Sequence, residues 1–127
     1  MTTRAAWWLP PVAWAAVLFW LSSKPGHELP MPSFFEADKV LHFGAFGLLA
    51  LLLRQALVKS TAWSARAATM GAIALTAAYG FTDEVHQALG VAGRVADPFD
   101  WIADVAGALV AAPLHAHLSR PPTEPAA

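Results

Sequence analysis

The sequence predicts an all-α membrane protein, a bundle of four transmembrane helices in a single domain spanning residues 1–127. Two observations carry this. Of the 127 residues, 57% are hydrophobic and 13% charged, whereas an ordinary soluble domain is roughly 45–50% apolar. The apolar residues also fall in four long blocks parted by short charged breaks, and a bilayer core of about 30 Å calls for roughly 20 residues per crossing helix.

The first block, residues 5–23, carries no charge and has Trp7, Trp8 and Trp20 near its ends, where indoles sit well at a membrane interface. It reads as a span and not a cleaved signal peptide, because no small-x-small site follows before Lys24. Pro10 and Pro11 fit its first turn. Residues 24–38 hold three prolines and a glycine, so they read as a connection, with Phe34 and Phe35 touching the interface. A second helix is expected to begin near Asp38 and to span 39–58, with Gly44 and Gly47 permitting close helix approach.

The third span, residues 67–89, runs without a break from AATMGAIALTAAYGF into TDEVHQAL, and turn-prone Gly90 and Gly93 follow it. Its outer end is therefore polar. Pro98 suits the first turn of the fourth span, residues 98–118, and the tail PPTEPAA is expected to be disordered. Positive residues are retained on the cytoplasmic side. One side holds Arg4, Arg54, Lys59, Arg66 and Arg120 and the other Lys24, Lys39 and Arg94, so five against three places both termini inside.

A net charge of −1 with scattered Lys and Arg lacks the electrostatic footprint of a nucleic-acid binder. The absence of cysteine excludes disulfides, thiolate nucleophiles and thiolate metal sites.

If spans two, three and four alternate in direction, the start of two, the end of three and the start of four share one membrane face. They bring there Asp38, Lys39 and His42; Asp83, Glu84, His86 and Gln87; and Arg94, Asp97, Asp100 and Asp104, which include six of the nine acidic residues. Helical spacing puts Asp38 with His42, Asp83 with His86 and Gln87, and Asp97 with Asp100 and Asp104 on shared faces. Ionisable groups at membrane depth are costly and face a bundle interior or a wet cavity, which makes a functional site the first reading.

Six carboxylates against Lys39 and Arg94 leave four negative charges with both histidines neutral. Three remedies stay open. Carboxylates can share protons, a divalent cation can bind among His42, Glu84, His86, Asp100 and Asp104, or the ligand can itself be cationic. Each residue also has a structural role to set against this: Asp38 and Asp97 as caps of spans two and four, Lys39 and Arg94 as ion-pair partners, and His42 and His86 as interhelical hydrogen-bonding groups. His115 and His117 fall at the opposite end of span four and read as interfacial, and Gly71, Gly107 and Ala111 read as packing residues.

The segments DKVLHFGAFGLLALLL, YGFTDEVHQALGVAGR and DPFDWIADVAGALVAA resemble the VanZ-like family of small bacterial membrane proteins. Asp38, Lys39, His42, Tyr79, Gly80, Asp83, Glu84, Gln87, Gly93, Arg94, Asp100 and Gly107 follow its motif in order and spacing, over roughly residues 38–112. Ala92, Val95, Phe46 and Asp104 depart from it, standing where proline, a small hydroxyl residue, tyrosine and asparagine are frequent. The name-giving member is associated with low-level resistance to the glycopeptide teicoplanin. The resemblance implies a bacterial cytoplasmic-membrane location and a cell-envelope role.

Three functions are weighed on this basis. The first is a non-enzymatic protein whose outward polar pocket, formed by Asp38, Lys39, His42, Asp83, Glu84, Gln87, Arg94, Asp100 and Asp104, binds a lipid head group, lipid-linked precursor or lipopeptide. The second is a membrane-embedded hydrolase or transferase acting on a lipid-linked phosphate, with Glu84 or Asp100 as base, His42 or His86 as acid or base, Arg94 as anion clamp and a divalent metal as aid. No HExxH or GxSxG motif accompanies it. The third is a proton- or cation-coupled transporter using Glu84 and Asp104, which with four short spans calls for a homo-oligomer.

Overall fold

The structure, a computed structural model, describes residues 3–25 and 35–119. Among these residues 85% are helical and no strand occurs. A 3₁₀ turn over Arg4–Trp8 leads directly into α1, Leu9–Ser22, and Pro10 and Pro11 lie in its first turn, where a missing amide hydrogen leaves no helical bond unmade. The α1 helix closes with the Ser22 and Ser23 hydroxyls donating to the Phe19 carbonyl. The connection from 26 to 34, the side chains of residues 35–37, Arg120 and the tail lie outside what the structure describes, and the expectations placed on them with it.

α2 covers Phe35–Ser60 and starts three residues before the expected Asp38. Nothing between Phe35 and Asp38 breaks a helix, so Asp38 sits inside the first turns and is not a cap. α3, Ala65–Gly90, opens on Ser64, whose hydroxyl accepts from the Ala67 amide. Beyond it Gly93 takes a φ of 73°, a left-handed turn that only glycine adopts cheaply. α4, Pro98–Leu118, is capped by Asp97, whose carboxylate accepts from the Phe99 amide at 2.8 Å. A cap of this kind contributes ~1 kcal/mol.

Three of these segments, Arg4–Ser22, Asp38–Ser60 and Pro98–Leu118, are long and apolar enough to cross a membrane. Three of the four spans expected from the sequence are thus supported, and the count of four is not confirmed. α3 has the length, at 26 residues, but its TDEVHQ end lowers its apolarity.

The helices run alternately up and down. At one end Trp8 Nε1 donates to Ser60 Oγ, Lys59 lies over the Trp7 ring, and Arg54 meets His115. At the other Ser23 meets His86, Glu84 accepts from the Asp97 amide, and Lys39 reaches Asp97. α2 and α4 share the most extensive contact.

The bundle is packed inside with small residues. Ala50, Ala56, Ala68, Ala72, Ala108 and Ala112 are fully buried, whereas Phe19, Trp20, Val40, Phe81 and Ile102 are exposed. Lipid tails are as apolar as leucine, so membrane helices associate through close packing of small residues and turn their large ones outward. The tightest approach is at Gly107. A Cβ there would overlap the Phe43 carbonyl oxygen, and one at Gly47 would come within 3.3 Å of the Gly107 carbonyl. Gly44 has nothing within 4 Å, so the packing role expected of it is not borne out.

Candidate functional site

The polar ends of α2, α3 and α4 converge as the alternation requires. Asp38, Lys39 and His42 come from the first turns of α2, Asp83, Glu84 and Gln87 from the last turns of α3, and Asp97, Asp100 and Asp104 from the start of α4. Their positions place them one to three turns inside the bundle end, and five are deeply buried: Asp83, Glu84, Gln87, Asp100 and Asp104.

Lys39 is the main counter-charge. Its ammonium contacts Asp97 at 2.6 Å, Asp38 at 3.7 Å and Asp100. The hydrogen bond it gives to Asp97 holds that carboxyl below its ordinary value of 3.8, because the anion, not the acid, is what the donor stabilises. Asp97 therefore ties three helices together: it caps α4, accepts from Lys39 of α2, and its own amide donates to Glu84 Oε2 of α3 at 2.7 Å.

His42 is the second hub. Its Nδ1 lies 2.9 Å from Asp104 Oδ1, and its Nε2 lies 3.7 Å from Asp100 and 4.0 Å from Asp38. Asp104 is wholly buried and fits only because Gly80 stands opposite, where a Cβ would come 2.7 Å from Asp104 Oδ2. Gln87 donates to Asp83 at 3.0 Å. His86, expected on the same face as Asp83, instead turns to α1, where it bonds Ser23 at 3.0 Å and stacks on Phe19.

Two sets of donors are placed as metal ligands would be: Asp38, His42 and Asp100, and His42, Glu84 and Asp104, each with ligand atoms within 4.8 Å of one another. Neither set includes His86. In the second set Glu84 Oε1 and Asp104 Oδ2 are buried without a hydrogen-bond partner. A buried, unpaired carboxylate oxygen costs free energy that a proton, water or cation would offset.

Beside this cluster a cleft of about 360 Å³ opens between α1, α2 and α3. One wall is apolar, built from Trp14, Leu18, Leu21, Leu41, Ala45 and Phe46, and the other end holds Asp38, His42, Asp83, Gln87 and Arg94. Trp14 is fixed by donating to the Ala45 carbonyl at 2.9 Å, and Tyr79 ties α3 to α1 through the Ala15 carbonyl at 2.6 Å. Arg94 makes no ion pair with a described residue, and its Nε is buried without an acceptor.

The apolar wall is what sequence reasoning missed. Its residues look like ordinary lipid-facing positions, and only the packing of α1 against α2 shows that they flank the polar cluster. The bonding of Arg54 to Thr69 and His115 was also missed, although a lone arginine inside an apolar run is a signal for it.

The sequence model of a family described as VanZ/LLP1 matches residues 7–118. No curated protein and no solved structure matches the chain.

Proposed function

The chain belongs to the VanZ-like family, and from that premise we propose that it is a bacterial cytoplasmic-membrane protein that binds an amphiphile at the envelope-facing end of its bundle. In this reading all four helices cross the bilayer, α3 with its polar end buried among its neighbours, and both termini are cytoplasmic. The ligand class is a lipid head group, lipid-linked precursor or lipopeptide. A link to glycopeptide resistance would follow from changing which such molecules reach the surface.

The observation that carries the proposal is the two-sided cleft. Its apolar wall and its polar end, with Arg94 making no ion pair among the described residues, match a molecule with a hydrocarbon tail and an anionic head. Arginine suits phosphate because its planar donors engage two oxygens at once. Of the two carboxylates in the cleft, Asp38 lies 3.7 Å from the Lys39 ammonium and Asp83 accepts from Gln87, so each already has a partner beside Arg94.

The test is binding of a polyprenyl phosphate to the purified protein in nanodiscs, followed by native mass spectrometry. Leu41→Trp should fill the cleft and abolish binding while the fold is kept. Arg94→Gln should weaken binding about tenfold, as expected for loss of one charge-assisted hydrogen bond. Equal binding by wild type and both variants would remove the cleft from consideration.

A second reading, a metal-assisted hydrolase or transferase on a lipid-linked phosphate, is favoured by one observation: the unpartnered Glu84 and Asp104 oxygens beside His42. A divalent ion held there would leave coordination positions open for water or phosphate. Hydrolysis of a lipid-linked phosphate that is lost in Glu84→Gln is the observation that would move this reading ahead of the first.

A further inference from the structure

We infer that the opposite end of the bundle carries a second ligand site, one that takes a phosphate-class anion between the end of α2, the start of α3 and the end of α4. A cavity of about 740 Å³ lies there, and its wall includes Arg54, Lys59, Arg66, Thr69 and Ser119. All six acidic side chains that the structure describes lie at the other end of the molecule. This end holds Arg4, Arg54, Lys59 and Arg66 and, among the described residues, no carboxylate.

The decisive residue is Arg54, which is only 3% exposed. Its Nε donates to Thr69 Oγ1 at 2.9 Å and its Nη1 to His115 Nδ1 at 2.6 Å. Arginine has donors only, so His115 accepts at Nδ1 and is the neutral ring. Thr69 in turn donates to the Ala65 carbonyl. Both partners position the guanidinium, and neither brings a negative charge. A buried cation held by neutral groups leaves its desolvation uncompensated, and here Nη2 also has no acceptor among the described residues.

An anion in the cavity meets both needs. Lys59 and Arg66 supply further charge, and the first turn of α3, with Ala65 at the wall, adds the positive end of a helix dipole. A tetrahedral oxyanion can accept from several such donors at once. Its source is either the head group of an anionic phospholipid in the adjacent leaflet or a soluble phosphate compound.

The experiment uses the full chain in a neutral detergent, with thermal unfolding followed by tryptophan fluorescence. The probes are inorganic phosphate, against chloride at matched ionic strength, and micelles doped with phosphatidylglycerol or with phosphatidylcholine. Stabilisation by phosphatidylglycerol alone assigns the site to a lipid head group. Stabilisation by phosphate as well assigns it to the phosphate group whatever carries it. The double variant Lys59→Gln/Arg66→Gln, which leaves buried Arg54 in place, should weaken the response about tenfold or more. No stabilisation by any probe overturns the inference, as does an unchanged response in the double variant. So does a response lost in Arg94→Gln and kept in the double variant, since that places the lipid in the other cleft.

Discussion

His42 on α2 and Asp104 on α4 meet at 2.9 Å, with the aspartate wholly buried. The contact joins the two helices that pack most extensively, and Gly80 on α3 makes room for it. Asp104→Leu is expected to leave His42 Nδ1 unpaired beside an apolar side chain and to cost about 1–3 kcal/mol. Asp104→Asn keeps the shape and a bonding group and should stay near wild type. Unfolding midpoints of the two variants in detergent decide the matter; equal midpoints would show that the pair is not a structural link.

Much of this site is legible in the sequence, because the alternation of helix direction follows from block length, and block length follows from bilayer thickness. That logic brings Asp38, Glu84 and Asp100 to one end before any coordinate is known. What it cannot supply is rotation about each helix axis. Asp83 and His86 are three residues apart, yet Asp83 bonds Gln87 while His86 faces Ser23 on α1, since the weakly packed α1 decides which flank of α3 is covered. Gly44 and Gly47 pose the same problem: three residues apart, only the second reaches α4.

The glycine contrast gives a second prediction. Gly107→Ala places a methyl group on the Phe43 carbonyl and forces α2 and α4 apart, whereas Gly44→Ala enters open space. Overpacking of this kind costs about 1–3 kcal/mol. Gly107→Ala should lower the yield of monodisperse protein on gel filtration, and Gly107→Leu should nearly abolish it, while Gly44→Ala matches wild type. A normal profile for Gly107→Leu would disprove the close approach.

The third prediction concerns acid. The carboxyl of Asp97 is held below 3.8 chiefly by the Lys39 hydrogen bond. A lowered folded-state pKa means that the contribution to stability is present in full above the unfolded value and is lost as pH falls through the folded one. Wild type should therefore lose stability from about pH 4 downward. Asp97→Asn can still cap α4 but has no proton to gain, so its loss over that range should be shallower. Parallel pH profiles of the two proteins would mean that the Lys39 contact does not operate in solution.

The fourth prediction concerns metal. His42, Glu84 and Asp104 offer one nitrogen and carboxylate oxygens at a spacing that suits a divalent ion. Protein purified with manganese or zinc supplied should retain near one equivalent after desalting if the two unpartnered oxygens are ligands. Glu84→Gln and His42→Ala should each lower the retained metal at least tenfold, as loss of a ligand would. Retention unchanged by both variants would place the ion elsewhere, and no retention by wild type would leave protons or water to satisfy those oxygens.

The last prediction tests whether α3 crosses the membrane, the point on which length and apolarity disagree. α3 is as long as α2 at 26 residues, but only the other three segments have spanning apolarity. Its polar end is largely buried by protein, with Asp83, Glu84 and Gln87 all inside the bundle, and a helix whose polar groups face its neighbours can cross without exposing them to lipid. The chain has no native cysteine, so single cysteines report cleanly. Ala62 and Ala92 are exposed and flank α3, whereas Ser60 is engaged by Trp8 and is better left intact. With a membrane-impermeant thiol reagent on whole cells, Ala92→Cys should label and Ala62→Cys should not. Labelling of Ala62→Cys alone would invert the orientation and put the cleft in the cytoplasm. Identical behaviour at both positions would mean that α3 does not cross, and the cleft beside it would then open at a membrane surface.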